Sequence, residues 1–167
     1  TGVAVFALEP EADDDVVIRA FCPGDAVNVP EDPVTGSANA LVGALLQAIA
    51  NGENGERFVY LWGAAGAGKS HLLGAVAAAT APRQVISLDS AATVPEISLV
   101  RGDETVIVDD VHRLSSVGQP ALFHAYNRIR SRSGRFIASG ALPPGELTLL
   151  PDLKSRLAWG LVLEVKP

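Results

Sequence analysis

The sequence predicts an α/β protein, a parallel sheet flanked by helices, and three observations carry that prediction. An apolar run, Phe58–Trp62, leads directly into Gly63, Gly66, Gly68, Lys69 and Ser70, the spacing G-x-x-x-x-G-K-S of a phosphate-binding loop. A second apolar run, from Thr105 to Val108, ends on two carboxylates, Asp109 and Asp110. Around these, strand-like runs alternate with helix-compatible ones, as a parallel sheet with crossover helices requires.

Taken in order, the chain opens with two short apolar, β-branched runs, Val3–Leu8 and Val16–Phe21, around the acidic cluster Glu9–Asp15. They predict two strands joined by a solvated turn. Pro and Gly make a loop of Pro23–Gly36, after which a helix is predicted from Ala38 towards Ala50, with Thr35 or Ser37 as its N-cap. Asn51–Glu56, NGENGE, is a polar breaker and the expected seam between two regions, 1–46 and 47–167. The strand Phe58–Trp62, the glycine loop and a helix over His71–Thr80 follow. Gln84–Leu88 predicts the next strand, and Asp89–Gly102, interrupted by Pro95, an irregular stretch with a short helix. After the strand that ends on Asp109 and Asp110 comes an amphipathic helix, Gly118–Arg132, carrying Leu122, Phe123, Tyr126 and Ile129 on one side. Arg128, Arg130 and Arg132 crowd its end, where cations suit the helix dipole. Arg135–Gly140 is a further strand, Pro143 and Pro144 break the chain, Leu153–Leu157 is a short helix or turn, and Leu161–Val165 closes as a last strand.

The chemistry expected at the loop follows from residue type. Glycines let consecutive backbone N–H groups turn inward without a Cβ in the way, and the next helix adds its partial positive charge at the same point. The nucleotide-contacting set is therefore Gly63, Ala64, Ala65, Gly66, Ala67, Gly68, Lys69, Ser70 and His71. Lys69 is placed for the β- and γ-phosphates, and the Ser70 hydroxyl for Mg²⁺. Asp109 is the second Mg²⁺ candidate, Asp110 the group that orients or polarises water, and Ser139, at a strand end, a candidate near the γ-phosphate. His71 is expected to pack or face solvent rather than catalyse. His112 and His124 have no partner at metal-ligand spacing, so no metal is expected beyond nucleotide-bound Mg²⁺. Trp62 and Trp159 are expected as apolar anchors in the core.

Composition narrows the class. With 167 residues, nearly half of them apolar, the chain predicts one domain with an appendage and a substantial core. A net charge of −6 argues against a surface that coats nucleic acid. Cys22 is the single cysteine, which excludes an internal disulfide and fits a reducing compartment. No apolar run approaches a membrane span, and no basic-then-apolar leader opens the chain, so the cytoplasm is the expected location and no membrane partner is expected.

Two resemblances add to this. The string EDPVTGSAN (Glu31–Asn39), with Arg19, Phe21 and Pro23, resembles the loop-to-helix signature of the PhzF-like isomerases, relatives of diaminopimelate epimerase, over residues 1 to about 46. The resemblance implies a carboxylate-binding turn at a helix N-terminus, while the family's catalytic acid lies in a half of the fold that this stretch lacks. Residues 47–167 resemble a AAA+ nucleotide-binding core of the DnaA/Hda family. The residues that carry it are Tyr60–Leu73, Val106–Leu114, Phe123–Arg130 and Leu150–Pro167. That resemblance implies a P-loop NTPase of AAA+ type whose lid domain is absent, preceded by a small β-β-α appendage. It implies ATP or ADP with Mg²⁺ as cofactors and assigns the arginine finger, which acts on a neighbouring subunit's nucleotide, to Arg156. Ala141 and Leu142 stand where the family has a polar residue after its sensor strand, which leaves Ser139 as the substitute.

The implied function is regulation of DnaA-dependent replication initiation through protein contact. The partners would be a DnaA-like initiator, the sliding clamp (although the clamp-docking peptide is not seen) and further copies of the chain, without direct sequence-specific DNA binding. Turnover would be at most a slow, assembly-dependent ATPase. An active AAA+ ATPase or loader subunit and a PhzF-like isomerase fragment are the alternatives.

Overall fold

The computed structural model describes residues 5–8, 18–21, 36–53, 55–80 and 85–166, with side chains from residue 42 onward, residue 50 aside. The chain forms two compact units, 1–34 and 35–167. In the first, β1 (Val5–Leu8) and β2 (Ile18–Phe21) pair antiparallel, with Val5 opposite Phe21 and Leu8 opposite Ile18. The loop Pro23–Gly36, apart from its last residue, and the acidic turn before β2 lie outside the described residues.

The second unit begins with α1 (Gly36–Ala50) and is built on β3 (Phe58–Trp62), α2 (Lys69–Ala79), β4 (Val85–Leu88), α3 (Val94–Ser98), β5 (Thr105–Val108), α4 (Gly118–Ser131), β6 (Arg135–Gly140), α5 (Pro151–Leu157) and β7 (Leu161–Glu164). Its five strands pair in the order β4-β5-β6-β3-β7, all parallel. Every residue of β5 is buried, which is why this strand is a continuous apolar run rather than an alternating one. Register sets Tyr60 beside Ala138 and Val108 beside Ala138, so β3, β5 and β6 end together at one edge of the sheet.

The core lies between the sheet and α4. Leu122, Ala125, Tyr126 and Ile129 of α4 are buried, the spacing an amphipathic helix presents to a sheet. The Tyr126 ring sits 4.7 Å from that of Phe58 and 5.1 Å from that of Phe136. Leu153 and Leu157 of α5 and Ile97 of α3 complete this side.

Two sequence expectations change. The polar stretch after α1 lies inside the second unit, and its described residues 51–53 turn with the Asn51 and Glu53 N–H groups bonded to the carbonyls of Gln47 and Ala48. The unit boundary falls before α1 because this helix packs on α2: Leu46 and Ile49 are buried, and Gly43 comes close to Leu72. Trp159 is not a core anchor but 57% exposed, because it follows the end of α5 at the margin of the sheet.

Candidate functional site

The phosphate loop leaves β3 through Gly63. A Cβ there would lie 2.2 Å from the Val165 carbonyl oxygen, and the Val165 N–H donates to Trp62 O at 2.7 Å. Only glycine lets the chain turn off the sheet while β3 stays beside the end of β7. Gly66 and Gly68 have φ of 81° and 93°, with no atom within 4 Å of an added Cβ. Glycine is needed at these two positions for backbone conformation, not for space. Gly68 is the N-cap of α2 and brings no capping side chain. The first-turn N–H groups, with the positive end of the helix, are thus left for another acceptor.

Lys69 is 8% exposed, and its Nζ donates to the carbonyls of Gly63 at 2.7 Å and Ala64 at 2.8 Å. The ammonium is desolvated and held by the loop that precedes it. A cleft of about 400 Å³ opens here, lined by Ala65, Gly66, Gly68, Lys69, Ser70, His71, Asp110, His112, Arg113 and Ala141. Ser70 and His71 are exposed, whereas Ala67 is buried under the loop.

The opposite wall is the end of β5. Asp109 donates its N–H to Leu88 O, and its Oδ1 accepts from the Ser139 hydroxyl at 2.5 Å. That same hydroxyl accepts from the Asp110 N–H at 2.9 Å. Asp110 is the one described non-glycine residue with positive φ, 52°, a costly conformation that this bond helps to hold. It turns the Asp110 carboxylate into the cleft, where His112 Nδ1 and an Arg113 N–H nitrogen stand 3.9 and 3.8 Å away. Beneath it, the Tyr60 hydroxyl donates to Leu142 O at 2.8 Å, and burial, then the charge of Asp110, push its pKa well above the usual tyrosine value.

The structure therefore brings Gly66, Gly68, Lys69, Ser70, His71, Ala65 and Asp110 to one cleft, with Gly63 and Ala64 behind them as acceptors for Lys69. Ser139 is fully buried, and its hydroxyl binds the two aspartates. Ala141 reaches the cleft as a methyl group. Arg156 stands apart, its guanidinium 5.6 Å from the ring centroids of Phe123 and of Trp159. His112 and Arg113 were missed from sequence. Their one signal was adjacency to Asp110, and the 3-10 turn Val111–Arg113 that folds them back is a tertiary outcome.

Comparison with known proteins places both units. A family model described as phenazine biosynthesis-like protein, PhzC-PhzF, matches residues 1–95, more than half of the chain. The chain belongs to the PhzC-PhzF family. The match runs beyond residue 46, where the family-like stretch was expected to stop, through β3, the phosphate loop and α2 into α3. In fold, this PhzC-PhzF family member is similar to the AMPPCP-bound DnaA of Aquifex aeolicus, at 21% identity and TM-score 0.66 over 79% of this chain and 48% of that one. It is also similar to domain III of the replication initiation protein DnaA from Thermotoga maritima, at 22% identity and TM-score 0.66 over 80% and 65%. Protein NMB1076 from Neisseria meningitidis matches at 29% identity and TM-score 0.53 over 86% and 95%. The chain spans about half the length of the Aquifex DnaA it matches. The second unit thus has the α/β fold of AAA+ P-loop domains. Among the described residues no helix is long and apolar enough to cross a membrane.

Proposed function

We propose that this chain is an adenine-nucleotide-binding AAA+ protein that works in the cytoplasm as an Hda-like regulator, through contact with a DnaA-like initiator and the sliding clamp. The observation that carries the reading is the desolvated Lys69 ammonium at the mouth of a glycine loop, facing Asp110 across an open cleft. A polyphosphate tail supplies the acceptors that the uncapped first turn of α2 lacks, and Lys69 exchanges its carbonyl partners for phosphate oxygens. The AMPPCP-bound state of the Aquifex DnaA agrees with this.

The residues fit a nucleotide-bound Mg²⁺. Ser70 is exposed and lines the cleft; Asp109 does not line it and has its Oδ1 engaged by Ser139, so its part would be through a metal-bound water. The ion, when bound, neutralises phosphate charge. Asp110 orients water, Ser139 positions the two aspartates, and Arg156 serves a nucleotide on a neighbouring subunit, so turnover by the isolated chain is slow. Calorimetric titration with ADP and ATP, with and without Mg²⁺, tests the reading. Saturable binding that Lys69→Ala removes supports it, and binding indifferent to Lys69 overturns it.

Two other readings have support of their own. Arg156 lies outside its own cleft, as an ATPase or loader subunit would need, and hydrolysis that rises more than linearly with protein concentration would favour that reading. The family match over residues 1–95 favours a PhzF-like isomerase contribution, and isomerisation of a small carboxylic acid by the full chain would establish it.

A further inference from the structure

β4 closes one edge of the parallel sheet, at the far side of β5 and β6 from β3 and its phosphate loop. Its inner side is fixed by the ladder to β5: the Leu88 carbonyl accepts from the Asp109 N–H, and Ile86 is in register with Val106. Successive residues of a strand direct their backbone groups to alternate sides in the plane of the sheet. The N–H and C=O groups of Ile86 and Leu88 therefore face β5, and those of Val85 and Ser87 face outward, without a partner among the described residues. The Ser87 side chain is exposed as well. A row of unpaired backbone groups at a sheet edge is a template for another extended chain.

The surface beside this edge is shaped for side chains. A groove of about 390 Å³ runs between β4 and α3, with Ile86, Leu88, Ala92 and Leu99 as apolar lining. Leu99, the residue after α3, is 71% exposed. Asp89 and Glu96 line the same groove, and among the described residues no basic side chain does. Asp89 Oδ1 accepts from the Ala91 N–H, and Glu96 Oε2 accepts from the Thr93 N–H and hydroxyl. The second oxygen of each carboxylate has no partner among the described residues. The Thr93 donors hold the Glu96 carboxyl below the usual carboxylate range, so it is charged at neutral pH.

We infer that the outer edge of β4 and the groove beside it dock an extended, basic and apolar segment of a partner protein. The segment adds to the sheet as a further strand, with an aliphatic side chain in the groove and a Lys or Arg two residues along on Asp89 and Glu96. Main-chain hydrogen bonds to Val85 and Ser87 supply the part of the affinity that any sequence would have. The groove supplies the selection, because side chains two positions apart share a face. The carboxylates decide the charge of the occupant. They disfavour nucleic acid, whose phosphates would meet like charge, and a second copy is a poor match for a chain of net charge −6. The inference is independent of the nucleotide site, since groove and cleft share no lining residue.

Fluorescence anisotropy on the full chain tests this. The probe is a short, capped, fluorescein-labelled peptide with threonine at alternate positions and valine and lysine in turn between them. Saturable binding is expected, and a peptide with glutamate for lysine should bind more weakly. Ser87→Pro removes an outward N–H and sets a ring against the ladder, a change that an edge strand tolerates. It should raise the midpoint about tenfold, as the loss of one or two hydrogen bonds does. Asp89→Asn with Glu96→Gln keeps the local acceptors and should weaken the lysine peptide about fivefold while abolishing its advantage over the glutamate peptide. Circular dichroism establishes that each variant is folded. Where Ser87→Pro is not, the exposed Leu99→Ser decides, with an expected loss of about fivefold. No saturable binding of the lysine peptide, equal affinity for the glutamate peptide, or a midpoint within about twofold of the parent in the deciding variant overturns the inference. Tighter binding of a labelled oligothymidylate, lost in the same variant, overturns it in favour of nucleic acid. Self-association in sedimentation that the deciding variant dissolves overturns it in favour of a second copy.

Discussion

The two ends of the parallel sheet differ in how completely their charges are partnered. At the end where the strands finish, the charged groups have partners from the chain: Lys69 on the carbonyls of Gly63 and Ala64, Asp109 on Ser139, Asp110 near His112 and Arg113. At the end where the strands begin, Arg57, Arg128 and Arg132 have acceptors too, but Arg130 and Arg156 have aromatic faces and, among the described residues, no acceptor. The first end is self-contained, so its polar groups can stay desolvated without a ligand, at the cost that a ligand must displace internal bonds. The second end is incomplete by the same measure. A single chain thus carries a built cleft at one end and, at the other, two guanidiniums that rest on aromatic rings.

The comparison can be broken at the cleft first, where the largest effect is expected. Lys69→Ala should remove about 1.5–3 kcal/mol of nucleotide binding, the range for charge-assisted hydrogen bonds. A loss below that range in a calorimetric titration means that the ammonium stays on its own loop when nucleotide binds. At the opposite end, Gly160→Ala sets a Cβ 2.2 Å from Phe58 O and should destabilise the fold by about 1–3 kcal/mol, as overpacking does. Denaturant unfolding measures this, and unchanged nucleotide affinity in the folded fraction would show that the two ends are separable.

A smaller effect sharpens the cleft itself. Ser139→Ala removes the hydroxyl between Asp109 and Asp110 and should cost about 1 kcal/mol of stability. Mg²⁺-dependent affinity should fall more than Mg²⁺-independent affinity, and equal losses would place Asp109 outside the metal's reach. The smallest effect is alkaline. Burial pushes the Tyr126 hydroxyl up to about 12, against the opposing charges of Arg156, Arg130 and Arg57. A raised pKa contributes stability that is full below the unfolded value near 10 and is lost as pH rises from there towards 12. Melting temperature should therefore fall across that window, and less steeply in Tyr126→Phe.

Sequence reading served the two ends unequally. The loop was legible because its glycines answer local needs: φ at Gly66 and Gly68 is a property of the residue and its neighbours along the chain. Asp110 was legible for the same reason, standing at the end of an apolar run that parallel pairing buries on both faces. Ser139 was singled out, but its bonds to Asp109 and Asp110 were not legible, since they cross 30 and 29 residues of sequence. Trp159 was expected in the core because hydrophobicity says nothing of which side of a chain end faces water. The unit boundary moved for a related reason: NGENGE has the composition of a linker, but α1 before it packs on α2 after it.

By itself the sequence determined the parallel α/β sheet, the phosphate loop and the carboxylates at the end of β5, because periodicity, glycine freedom and motif spacing act over a few residues. Only the tertiary structure decided that Ser139 would lock the two aspartates, that His112 and Arg113 would line the cleft, and that Arg130 and Arg156 would meet on an exposed indole. Those contacts join segments far apart in the chain, and strand order, which no local pattern encodes, sets which of them come within reach.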